Sequence, residues 1–545
     1  MSVRLHFLLS MLATALIPQT GGAQEFPTET RREIGKFLDA TARKEISVGH
    51  ITVDSVAING NTLQLFANMN CSYIPFREDN VAEIYKGINA LLPTEFAKYR
   101  LQLRTNRHSI EELIPQALRS KKDKKALTFS QDVEKPLVTK VSRLQNRHIA
   151  LWQSHGFYYE PKLNRWEWQR ARCLQTVEDL YTQSFVLPYL VPMLENAGAN
   201  VLLPRERDCQ TAEIIIDNDG CLNTNSTYTE HTADKVWRQG TGKGFAHLRP
   251  QYIDFENPFK EGTFRIAETV KKGKESTAEW IPEIPQNGQY AVYVSYQTVP
   301  NSSDDALYTV YHKGGVSQFK VNQKMGGGTW VYLGTFGFDA GKSNACKVTL
   351  SNRSAKAGQT VTADAVKISG GMGNIARRIS EEGATDNLKS SDKTVNASNA
   401  AKNIPAAYQP SYITEYQKSG YPRFCEAARY WMQWAGIPDS VYSESHGKND
   451  YTDDYKSRGI WVNYLAGGSA ANPTEKGLNI PVDLAFAFHS DAGTTLNDSI
   501  IGTLGIYQTD AYNGVFANGA SRYLSHDLTD LIQSNIVRDI RTLYE

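Results

Sequence analysis

Six cysteines in 545 residues are too few for a disulfide scaffold. None of the six (Cys71, Cys173, Cys209, Cys221, Cys346 and Cys425) stands in a C-x-x-C pair, so the common zinc-cluster spacings are excluded. Their even number permits disulfides in an oxidising compartment, but buried thiols with at most one bridge are the expectation. Charge of one sign is also scarce: 59 Lys and Arg balance 58 Asp and Glu, leaving +1. No overall field draws such a chain to nucleic acid or an acidic membrane. The run Lys121-Lys122-Asp123-Lys124-Lys125 reads as a solvated connector. After residue 23 no apolar stretch is long enough to cross a bilayer.

What is present is ordinary globular material, 41% hydrophobic and 21% charged, with room for roughly three domains. The first residues have the make-up of a secretory signal. Arg4 supplies the positive region, Phe7 to Ile17 the apolar core, and Gly21-Gly22-Ala23 the small residues for cleavage. No cysteine follows until Cys71, so a lipid anchor is not expected. A secreted or periplasmic protein is therefore expected, with no stable membrane insertion.

Residues 24–140 read as a small α+β domain. Alternation across 50–68 with Asn59-Gly60 at its centre predicts a β-hairpin, and Val81, Ile84, Ile88, Leu91 and Leu92 define a helical face. Residues 146–211 change character. The apolar strand "HIALW" is followed by a long helical segment ending near Gly198 and by the strand "ANVLLP". Strand, helix, strand implies a parallel sheet. From 212 to 375, short alternating strands punctuated by Gly, Asn, Asp and Pro predict an antiparallel β-sandwich. The polar tract from about 380 to 405 reads as a linker. The α/β pattern then resumes over 376–545, with helix 423–436, strand 482–488 and a helix at 525–543. The expected fold class is thus α/β: a parallel-sheet domain split by an inserted sandwich, plus the N-terminal α+β domain.

Two of the apolar strands end in histidine, at His155 and His489. In a parallel sheet both ends lie along one edge, where open α/β sheets carry their sites. Two imidazoles there can share a metal, and a catalytic zinc commonly adds a third protein ligand and a water. The third ligand is expected to be a carboxylate after the first histidine: Glu160, Glu167 or Glu178. A lone strand-end histidine is more often merely exposed or hydrogen-bonded, so the paired placement is what gives the metal reading its weight.

The segments "SHG" (154–156), the run 178–208 and "AFAFHSDA" (485–492) resemble the zinc-dependent N-acetylmuramoyl-L-alanine amidases. In that family a strand ends in His-Gly, a glutamate opens the next helix, and a later strand carries Ser-x-His-x-Asn-Ala. The resemblance selects Glu178, one helix length before Gly198, and implies Zn2+ held by His155, Glu178 and His489. It places Arg205 and Ser490 on the substrate side and puts Asp491 where the family has Asn. The loop between His155 and Glu178 is longer than is usual in the family; it lines a substrate groove or simply packs on the sheet.

Within 212–375 the segments "EIIIDNDG", "AEWIPEIPQNGQYAVYVSY", "ALYTVYHKGG", "GGGTWVYLGTFGF" and "VTADAVKIS" resemble the golvesin C-terminal-like domain of secreted bacterial enzymes, a binding or adhesive module. Proteins pairing that module with an amidase-like domain often carry the label xanthan lyase.

The amidase resemblance implies hydrolysis of peptidoglycan stem peptides, with the family's general base a glutamate on a strand after the final helix. The chain ends at Glu545, where that helix ends, so a truncated domain lacking this base is expected, with Asp491 as the candidate substitute. Peptidoglycan or another extracellular glycan is the expected partner. A non-catalytic carbohydrate-binding or adhesive protein and a polysaccharide lyase are the alternatives.

Overall fold

The computed structural model describes residues 25–44, 46, 49–120, 127–131, 133–170, 172–173, 176–220, 222, 225–379, 416–469, 472–490 and 502–544. The expected signal segment, the 380–405 linker and Asp491 lie outside them. The chain forms two compact units: residues 1–129 with 501–545, and residues 130–500.

In the first unit, Val53–Asn59 and Thr62–Ala67 form the expected hairpin, with Gly60 at φ 58° in its turn. Only a residue without Cβ takes that conformation freely. Arg100–Thr105 then adds in parallel and His108–Ser109 closes a four-stranded sheet. Helices Thr28–Ala42 and Glu78–Leu91 bury Ile34, Leu38, Ile84 and Ile88 with Leu63, Leu65 and Leu103.

The last helix, Tyr523–Tyr544, also belongs to this unit. The expected second half of the α/β domain, 376–545, therefore does not hold together to its end. Its periodicity foretold a helix but not a partner. Polar contacts supply that: Arg77 donates to Asp530 at 3.1 Å, the Gln116 amide to Asp527 at 2.9 Å, and Asn106 to Tyr523 at 3.1 Å.

The second unit contains the expected parallel sheet, three strands wide in the order Asn200–Leu202, His148–Gln153, Leu484–Phe488. The central strand buries Ile149 and Leu151 against Val186, Val191 and Val201. The expected long helix before Gly198 is broken. It runs as Glu178–Tyr181, Gln183–Phe185, a π-turn at Val186–Leu190, and Val191–Asn196. Pro188 and Pro192 lack the amide hydrogens that a regular helix needs, and that accounts for the interruption.

The sandwich has two main antiparallel sheets in the same unit. One orders Ile214–Ile216, Val366–Ile368, Gly288–Val294 and Val331–Phe338; the other orders Thr227–His231, Thr277–Ile281, Lys347–Ser351, Ala306–His312 and Gly315–Val321. Alternate burial along Thr277–Ile281 follows the two-residue period of a strand with one face inward. Trp280, Tyr290, Tyr308 and Val348 fill the core, continuous with Tyr430, Trp431 and Trp434 of helix Ala428–Trp434.

His148 begins the central strand fully buried, and its Nε2 accepts from the Leu137 amide at 3.0 Å. Burial pushes its pKa down to about 4. Because the folded value lies below the ordinary one, its stabilising contribution is intact above about pH 6.5 and is lost as pH falls toward 4. His148→Gln, which can accept the same bond without titrating, should flatten stability against pH in that window by up to about 1.4 kcal/mol per pH unit. Urea midpoints across the window check this.

Candidate functional site

Register carries the two histidines together. Gln153 pairs with Phe488 at the end of the parallel ladder, so the chain just past both strands emerges on one edge. There the His155 and His489 rings stand 4.6 Å apart between centroids, nearly perpendicular at 81°. Gly156 is required beside them: a Cβ would lie 2.7 Å from the Ala427 amide nitrogen. That approach lets Ala427 donate to the Phe157 carbonyl at 2.9 Å.

Glu178, 2% exposed, opens its short helix beneath the same edge. Ser490 Oγ donates to Glu178 Oε1 at 3.0 Å, and the Ser490 amide donates to Ser154 Oγ at 3.2 Å. Thr182 Oγ1 meets Ser154 Oγ at 2.9 Å. A hydroxyl chain thus ties the glutamate to both strand ends. The other candidates are engaged elsewhere. Tyr158 donates to Glu160 at 3.2 Å and to Glu167 at 3.1 Å, and Arg165 also binds Glu167 at 2.9 Å. Both sit on the hairpin Phe157–Glu160/Arg165–Trp168, which forms part of the long loop.

Arg205 is brought to the site, though not to a surface. It is 1% exposed and its guanidinium donates to the His155 carbonyl. Substrate contact, the role the resemblance implies, differs from this placement under the strand end. Several residues were not anticipated. Arg170 Nε donates to His155 Nε2 at 3.0 Å. Asp179 holds that segment by accepting from the Gln169 and Arg170 amides at 3.2 and 3.1 Å. Asp454 accepts from Gln169 at 2.8 Å, from the Ala428 amide at 2.6 Å and from Arg458 at 2.6 Å. Asp179 adjoins Glu178 in sequence, the one cue available. Nothing in the sequence pointed to Asp454.

Electrostatics follow from burial. Burial first, then His489, Arg170, Arg458 and Arg205, push the His155 imidazole down to about 3, so it is neutral at ordinary pH. Burial pushes the Asp179 carboxyl up to about 7 against the opposing hydrogen bonds of the Arg170 and Gln169 amides and the charge of Arg205.

Zinc demands neutral imidazole and ionised carboxylate. His155 Nδ1 and Glu178 Oε2 are buried without hydrogen-bond partners, which fits that donor set. Against this, Arg170 occupies the other nitrogen of His155, and the described residues contain no group of three or more His, Cys, Asp or Glu arranged to hold a metal.

Residues 259–370 match the Golvesin C-terminal domain family, inside the expected sandwich. A protein described as xanthan lyase from Bacillus sp. (strain GL1) is 33% identical over 96 residues, 18% of this chain. The chain spans a tenth of that relative's length. A solved xanthan lyase from Paenibacillus is 25% identical over 29% of this chain and 13% of its own, with a TM-score of 0.22. A CBM35 from Cellvibrio japonicus Abf62 is 12% identical over 25% of this chain and 94% of its own, with a TM-score of 0.14. Among the described residues no helix is long and apolar enough to cross a membrane.

Proposed function

We propose that this chain is an extracellular, glycan-directed protein whose parallel-sheet edge carries a zinc-dependent amide-hydrolase site, and whose sandwich attaches it to the polysaccharide around its substrate. The observation that carries the reading is the juxtaposition of the His155 and His489 rings at 4.6 Å across adjacent parallel strands. The Golvesin match and the segment shared with a xanthan lyase support the glycan-directed part. The amide of a peptidoglycan stem peptide is the proposed substrate bond.

His155, His489 and Glu178 would hold the metal; when bound, zinc polarises a carbonyl and lowers the pKa of its water. Ser490 orients the Glu178 carboxylate, and the Ser154–Thr182 pair fixes Ser490. Arg205 anchors the backbone of His155 from below. Asp491, the candidate base for the water's proton, follows Ser490 directly.

A second reading, a glycan-binding protein without catalysis, is favoured by Arg170 standing on His155 Nε2. The lyase reading rests on the segment similar to xanthan lyase. Zinc-loaded protein incubated with peptidoglycan should release free stem peptides, detected by mass spectrometry. Unsaturated sugar products from an acidic polysaccharide would identify a lyase instead. Polysaccharide binding with neither product would leave the binding reading standing. Removal of the competing donor gives a further expectation: Arg170→Ala should tighten zinc about 10-fold, an outer-shell effect, as measured by competition with a chromogenic chelator.

A further inference from the structure

Away from the histidines, the sandwich buries a carboxylate to which the described residues give no counter-charge. Asp217, directly after strand Ile214–Ile216, is 1% exposed; neither of its carboxylate oxygens accepts a well-formed hydrogen bond, and only the Asn218 and Asp219 amides of its own turn favour its charged form. Asp364 lies beside it: the antiparallel ladder ends at Ile216↔Val366, two residues past Asp364 and one before Asp217. Asp364 is fully buried and held in place. Its carboxylate accepts the Phe245 amide at 3.1 Å, and its carbonyl accepts the Trp280 indole at 3.0 Å. The turn from Asp217 closes when the Gly220 amide donates to the Asp217 carbonyl at 3.2 Å, with Gly220 at φ 122°. Within that turn Asp219 accepts from Thr263 Oγ1 at 2.7 Å. A Cβ on Gly262 would collide with the Phe245 carbonyl oxygen and meet Asp219 Oδ2 at 2.7 Å, so those two oxygens crowd one α-carbon.

Asp217 and Asp219 from one turn, Asp364 from the closing strand and the Phe245 carbonyl thus bring oxygen donors from three segments into one neighbourhood. Among the described residues no lysine, arginine or histidine forms an ion pair with Asp217, Asp219 or Asp364. An unpaired buried carboxylate is costly, and folded proteins resolve the cost by pairing it, protonating it or coordinating it. Oxygen-only donors favour a hard cation over zinc. Of the hard cations, Ca2+ tolerates irregular geometry and readily takes backbone carbonyls and water beside carboxylates. That tolerance matters because no three described acidic side chains form a ready cluster; carbonyl oxygens must complete the shell.

We propose that Asp217, together with Asp364 and the turn through Asp219, forms a calcium site that fastens the entry strand of the sandwich to its closing strand. Burial, and then Asp364 and Asp219, raise the Asp217 carboxyl, and burial raises that of Asp364 to about 8. A bound dication reverses both effects.

The test uses the full chain stripped of metal. Adding Ca2+ should raise the melting temperature, and excess EGTA should lower it again. Tb3+ should luminesce when excited through tryptophan, because Trp280 donates to the carbonyl of a proposed ligand residue. Asp217→Asn should weaken calcium about 10-fold or more, at least matching an outer-shell change. His489→Ala should leave the response intact, which separates this site from the zinc site. Should Asp217→Asn fail to fold, equilibrium dialysis of wild-type protein decides: one tightly bound calcium supports the site and none overturns it. An unchanged calcium response in Asp217→Asn overturns it as well. So does a calcium-insensitive wild type that Asp217→Asn stabilises, the mark of two acids sharing a proton.

Discussion

Replacing Lys367 with alanine should destabilise the unit that holds the sandwich by about 3–5 kcal/mol. Lys367 and Glu206 are both fully buried, and the ammonium lies 2.6 Å from the carboxylate. The same ammonium donates to the Ser369 carbonyl at 2.6 Å and stands 4.0 Å over the Tyr293 ring. Glu206 also accepts from Tyr293 and from the amides of Arg207 and Asp208. Truncating the lysine leaves a carboxylate with hydrogen bonds but no directly paired counter-charge, only the more distant Arg423, deep in low dielectric. The penalty comes from that orphaned charge more than from the lost attraction. Consequently Lys367→Met should be nearly as damaging, whereas Lys367→Met with Glu206→Gln should recover most of the loss. Urea unfolding followed by tryptophan fluorescence measures all three. A cost below about 1 kcal/mol for Lys367→Ala, the range of an exposed pair, would show that water reaches the pair.

The second large effect concerns the strand-edge site. His489→Ala should weaken zinc by more than about 100-fold, beyond what outer-shell changes cost, and Glu178→Ala should do the same. Ser490→Ala removes only the donor that aims Glu178, so about 10-fold is expected. That gradation separates a metal site from two histidines that merely pack. Equal zinc affinity in wild type and His489→Ala, by titration calorimetry, would remove the metal from this edge.

The parallel strands and their terminal histidines were legible because an apolar run of strand length has few other uses. The choice of Glu178 came from resemblance alone. In the structure Tyr158 and Arg165 engage Glu160 and Glu167, and Ser490 reaches Glu178. Gly198 was correctly read as a stop and sits at φ 101°. Apolar periodicity alone predicts one continuous helix before it, and Pro188 and Pro192 break that helix into short pieces. The last helix packs in the unit of residues 1–129, which its periodicity does not reveal: an amphipathic pattern shows that a face exists, not what covers it. Arg170, Asp454 and the carboxylates of the sandwich stayed hidden for a related reason. A buried polar residue looks like a surface one until three-dimensional neighbours are known.

The pairing of Ile149 with Leu484 also bears on how the molecule is made. During synthesis the strand His148–Gln153 appears early, and its partner on one side appears only after the whole sandwich has emerged. Until then that rim offers unsatisfied amides and carbonyls to any passing chain, the situation that favours aggregation. Formation of a compact sandwich in the interval shortens the effective distance to be closed, since it replaces a long floppy loop with a rigid spacer. Lesions in the sandwich core, far from either histidine, should therefore lower the yield of soluble protein before they alter any property of the finished molecule.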